Sequence, residues 1–123
     1  MTQRLGMETG LSLIYKIVDA GAWHKAQLEG VFTGASIDLQ DGYIHLSTAQ
    51  QMHQTAALYF SGQNNLMLIA VDAERVSPKL KWEASRGGQL FPHIYGALEM
   101  SDVVWAKTLA WNGTKHEFPP EAL

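Results

Sequence analysis

Leu66-Met67-Leu68-Ile69-Ala70-Val71 is an unbroken apolar run that follows the loop Ser61-Gly62-Gln63-Asn64-Asn65. Such a run reads as a central strand buried on both faces. What comes after it decides the fold class. No stretch beyond Val71 carries the apolar spacing of a crossover helix, so a doubly wound parallel fold is not expected. Instead, Lys81–Ala84, His93–Leu98 and Val103–Leu109 read as short strands, the last with Val103, Trp105 and Leu109 on one side.

Upstream, Met52, Ala56, Tyr59 and Phe60 recur at helical spacing, and Thr48 followed by Gln51 is a capping-box pattern. These residues predict a helix that starts after Thr48 and runs to Phe60. Asp41-Gly42 reads as a turn into a brief strand, Tyr43–Leu46. Leu13–Val18 is strand-like, rich in branched and aromatic residues. Asp19 then caps a short helix over Ala20–Glu29, with Gly30 as its stop and Trp23 and Ala26 facing inward. The expected fold is α+β: one domain over residues 11–110, of short, mostly antiparallel strands with two helices in the first half. Residues 1–10 read as a flexible tail, and residues 111–123 as a polar C-terminal tail.

At 123 residues the chain supports one core. Nine basic against twelve acidic residues give a net charge of -3 with no basic cluster, which disfavours nucleic acid as a partner. The absence of cysteine removes disulfides, zinc–thiolate sites and thiol nucleophiles. No run approaches a membrane span, and Met1–Gly10 lacks the apolar core of a secretory signal, so a cytoplasmic location is expected. The glycine-rich fingerprints of the common nucleotide-binding folds are missing.

Two stretches hold the chemistry. Gly42–Thr48 and Trp82–Gly96 contain two of the five histidines, an acid, an arginine, hydroxyls and paired glycines. If Ile44 and Leu46 face the core, His45 points to the opposite side, into a cleft or onto a carbonyl partner. Ser47 and Thr48 suit helix capping, and a helix N-terminus also offers amide donors to an anion. Arg86 beside Gly87-Gly88 sets a forked cation next to a backbone that can approach a ligand, a clamp for phosphate or carboxylate. Pro92 biases Phe91 to an extended conformation, launching a strand with His93 and Tyr95 on the same face. Glu83 is equally suited to catalysis or to an ion pair with Arg86. His24 and His53 read as solvated helix residues and His116 as part of the tail. No histidine spacing marks a metal site, and no metal is expected.

These blocks, together with Leu13–Ile17, resemble the signature segments of an uncharacterised bacterial family, domain of unknown function 952. That family is itself similar to the ADP-ribosyltransferase fold, a split pair of small sheets with NAD in the cleft. The resemblance implies a histidine that holds the ribose, a tyrosine that stacks on the nicotinamide and a glutamate that supports the departing ribosyl cation. His45 with Ser47 matches the first element; the tyrosine is Tyr59 or Tyr95 and the glutamate Glu83 or Glu99. On this basis His45, Glu83 and His93 are the catalytic candidates, and Ser47, Thr48, Arg86, Gly87, Gly88 and Tyr95 the ligand-binding ones. The implied function is binding of NAD or a related nucleotide, with ADP-ribosyl transfer or NAD hydrolysis as the reaction; the alternative is a non-catalytic module for a phosphorylated metabolite.

Overall fold

The computed structural model describes residues 12–122, and the tail expected over residues 1–10 lies outside them. Strand β1 (Leu13–Asp19) leads into helix α1 (Ala20–Glu29), followed by β2 (Val31–Phe32), α2 (Ser36–Asp41), β3 (Ile44–His45) and α3 (Ala49–Tyr59). Strands β4 (Leu66–Asp72), β5 (Leu80–Ala84), β6 (Leu90–Ile94), β7 (Leu98–Glu99), β8 (Val103–Trp111) and β9 (His116–Glu117) complete a mixed α/β domain. All pairings among the described strands are antiparallel.

The caps act as their residue types dictate. Asp19 accepts from the Ala22 amide at 3.0 Å, and Gly30 closes α1 with φ 82°. Thr48 and Gln51 exchange hydrogen bonds at 3.1 and 3.2 Å to start α3. Among the described residues three α-helices stand where two were expected. The turn at Asp41-Gly42 is the end of α2, with Gly42 at φ 88° donating to the Asp38 carbonyl at 2.8 Å. The six residues of α2 bury only Asp38 and leave Ile37 and Leu39 exposed, so no apolar period announces the helix.

Two strand expectations are also corrected. His93–Leu98 is not one strand: β6 ends at Ile94, the chain turns at Tyr95-Gly96, and β7 pairs with β2 instead. In β8 the register shifts between Ala70↔Trp105 and Val71↔Val103, so one extra residue turns Val103 to the face opposite Trp105 and Leu109. Val103 packs with Ile69 and Val71, whereas Trp105 and Leu109 pack under α3. The segment from residue 111, read as a polar tail, is built into the fold through β9. Its His116 is buried and hydrogen-bonds the Gln63 carbonyl at 2.9 Å.

The strands form a four-stranded sheet in the order β9-β8-β4-β1, a three-stranded sheet β3-β6-β5 and the small pair β2-β7. The segment from Ile44 to Ser47 joins the two larger sheets. Its start pairs with β6, Leu46 donates to the Pro92 carbonyl at 3.0 Å, and Ser47 exchanges two 2.8 Å hydrogen bonds with Tyr15 of β1. The sheet therefore curls about this seam. Among the described residues no helix is long and apolar enough to cross a membrane.

Candidate functional site

Ile44 and Leu46 are buried in the core, so strand alternation turns His45 and Ser47 to the other side of the seam. There they border a cavity of about 520 Å³ enclosed by β1, the seam, α3 and the β5–β6 hairpin. Tyr15 and Lys16 line it from β1, Thr55 and Tyr59 from α3, and Arg86, Phe91 and His93 from the hairpin.

His45 is held on both ring nitrogens. Its Nδ1 lies 2.7 Å from Asp38 Oδ1 and its Nε2 lies 2.9 Å from Asp41 Oδ2. Asp38 is itself buried and takes a salt bridge from the buried Lys16 ammonium at 2.9 Å, together with the Ala35 and His45 amides at 2.8 and 3.0 Å. Burial alone would raise the Asp38 carboxyl, but the hydrogen bonds from His45 and the Lys16 charge prevail and bring it to about 2. Burial pulls the Lys16 ammonium below its usual range, against the opposing pull of Asp38.

His93 is the direct cross-strand partner of His45. Its Nδ1 meets Glu83 Oε1 at 2.7 Å, and the Tyr95 hydroxyl donates to the same oxygen at 2.8 Å. These two hydrogen bonds hold the Glu83 carboxyl below its usual range, and the bond to Glu83 raises the Tyr95 phenol. The Tyr43 ring packs 4.6 Å from His45, 4.3 Å from His93 and 5.1 Å from Tyr95, which ties the four rings into one cluster.

Arg86 does not pair with Glu83. Its guanidinium lies 4.9 Å from the centre of the Phe91 ring and 5.7 Å from that of Tyr59, and it donates to the Thr55 hydroxyl at 3.2 Å. Among the described residues it forms no salt bridge. Thr55 also shares a 3.2 Å hydrogen bond with Ser47.

Of the residues singled out in the sequence, His45, Ser47, Arg86 and His93 converge on the cavity. Glu83 and Tyr95 do not line it; Glu83 reaches it only through His93. Thr48 is occupied as a helix cap. Gly87 and Gly88, at φ 67° and 76°, make the hairpin turn and also lie outside the lining. Glu99 belongs to β7 and lies outside the lining as well. His24 and His53 are exposed, as expected. Among the described residues no group of three or more His, Cys, Asp or Glu is arranged around a metal position.

Asp38, Lys16, Asp41, Tyr43 and Thr55 are the site residues that sequence reasoning missed. Lys16 alone left a signal, a lysine inside an apolar strand that requires a buried counter-charge.

A family model described as "Protein of unknown function (DUF952)" matches residues 17–106. The crystal structure of protein CC0527 from Caulobacter crescentus is 46% identical over 85% of this chain and 93% of that one, with a TM-score of 0.82. The solution NMR structure of CC0527 matches over 86% and 91%, with a TM-score of 0.77. No curated protein matches the chain.

Proposed function

This chain belongs to the DUF952 family, and we propose that its cleft binds an anionic, nucleotide-sized ligand, NAD being the first to test. The charge of the cavity wall carries this reading. Among the described residues, Lys16, His45, Arg86 and His93 line the cavity and no aspartate or glutamate does, in a chain whose net charge is -3. A cation on a concave wall without carboxylates concentrates anionic ligands. Asp38 neutralises Lys16, which leaves Arg86 as the cation without a salt bridge among the described residues, with a forked guanidinium suited to a phosphate. The faces of Tyr59 and Phe91 suit a planar base, and the hydroxyls of Ser47 and Thr55 suit a sugar. The cavity volume falls in the range of small-molecule sites.

The curled sheet, with His45 and Ser47 at its seam, supports the likeness to the ADP-ribosyltransferase fold. On that likeness His45 holds the ribose and Tyr59, which lines the cavity, is the stacking tyrosine rather than Tyr95. Binding is favoured over transfer because neither Glu83 nor Glu99 lines the cavity, and a ribosyl cation needs a carboxylate preorganised beside it. Calorimetric titration of NAD tests the reading, with nicotinamide release followed in parallel. Saturable binding that is lost in Arg86→Ala, without nicotinamide release, is the expected result. Release abolished by Glu83→Gln would favour the transferase, and no binding by the wild-type protein removes NAD as the ligand.

A further inference from the structure

Resting on the reading that the cleft takes a nucleotide, we propose that it hydrolyses a phosphodiester of that nucleotide, with His93 as general base and His45 as general acid. The two rings are cross-strand partners on β3 and β6, with centroids 5.4 Å apart at 68°, and both line the cavity. Each has a carboxylate on Nδ1, Asp38 for His45 and Glu83 for His93, both at 2.7 Å. Such a partner fixes the ring and places a proton on Nδ1.

The rings differ at Nε2. His45 Nε2 faces the Asp41 carboxylate at 2.9 Å, an acceptor to which it can donate a proton in a hydrogen bond. His93 Nε2 has no hydrogen-bond partner among the described residues, and with Nδ1–H committed to Glu83 it keeps its lone pair. The pair thus sets a ring N–H on His45 beside a ring lone pair on His93, the two functions that general acid–base catalysis needs. Arg86, which lines the same cavity and has no salt bridge among the described residues, suits the charge that develops on the phosphoryl oxygens.

In the step, a water oxygen attacks phosphorus while His93 Nε2 takes its proton. The bond from phosphorus to the ester oxygen breaks, and the leaving oxygen receives the Nε2 proton of His45, released as the Asp41 side chain turns outward. Water and diester become monoester and alcohol, and no other reactant enters. A general acid matters most when the leaving oxygen is a strongly basic alkoxide. That chemistry selects a small sugar phosphodiester, such as a nucleoside cyclic phosphate, over the phosphoanhydride of NAD, whose leaving phosphate is already a stable anion.

Adenosine 2′,3′-cyclic monophosphate is the probe, with product followed by phosphorus NMR and AMP binding measured by calorimetry on the same samples. Wild-type protein is expected to open the ring, and His45→Gln and His93→Gln each to lower kcat about 100-fold or more while AMP still binds. Glu83→Gln, a substitution at a partly exposed side chain, is expected to lower kcat without changing KM, because Glu83 positions His93 and does not touch substrate. Wild-type protein that binds AMP but leaves the cyclic phosphate intact overturns this inference and leaves the nucleotide cleft standing; failure to bind AMP as well overturns both. Unchanged kcat in folded His93→Gln or in Glu83→Gln removes His93 as the base.

Discussion

At the scale of single residues, the site depends on a lysine placed where a strand should be apolar. Lys16 shares a face of β1 with Ile14 and Val18 and is only 5% exposed, so its charge is tolerated because Asp38 meets it at 2.9 Å. Asp38 then orients His45 through both the ring and the backbone amide. Asp38→Asn removes the counter-charge and leaves a buried ammonium unpaired, which is expected to destabilise the fold by about 3 kcal/mol in urea unfolding. The pH dependence follows from the same group. Asp38 titrates at about 2 in the folded chain against an ordinary 3.8, so its contribution is complete above the ordinary value and is lost as pH falls towards the folded one. Unfolding measured across that acid window should show stability falling by roughly 2 kcal/mol, and Asp38→Asn should flatten most of the slope. An unchanged slope in the variant would mean that other carboxylates govern acid unfolding.

At the scale of elements, α3 carries two cavity-lining residues, Thr55 and Tyr59, and its start is set by the Thr48–Gln51 box. Thr48→Ala should cost about 1 kcal/mol in chemical denaturation, and by loosening the first turns of α3 it should also weaken whatever binds in the cleft. This helix was legible in the sequence because its signals are local: a cap, a reciprocal partner three residues on and apolar residues one turn apart. The same holds for α1 with Asp19 and Gly30, and for β4 with its unbroken apolar run. What escaped was set by distant partners. Helix α2 is short and buries a carboxylate instead of an apolar stripe, and its reason for forming, Lys16, lies 22 residues from Asp38. The register shift that turns Val103 over is fixed by pairing with β4 and leaves no mark in the alternation of β8 itself. In the site, strand alternation pointed to the side of the strands on which His45 and His93 stand, but nothing local could show that Arg86 packs on Phe91 and bonds Thr55 rather than pairing with Glu83.

At the scale of the whole molecule, the seam at Ile44–Ser47 connects fold and site. It ties the three-stranded sheet to β1 of the four-stranded one, and His45 and Ser47, whose backbones make these pairings, also line the cleft. Loosening the seam should therefore affect stability and ligand binding together, whereas removing Arg86 should affect binding alone. Arg86→Ala is expected to unfold at a denaturant concentration close to that of the wild type, and a large loss of stability would assign the guanidinium a packing role instead. Whether the cleft binds a nucleotide is measured most directly by titrating NAD, and separately AMP, and following amide and arginine side-chain NMR shifts. Dose-dependent shifts concentrated at Ser47, Thr55, Arg86 and His93, and absent in Arg86→Ala, are expected. Shifts that map elsewhere, for example around His53 and His116, or none at all with either nucleotide, would contradict nucleotide binding in the cleft.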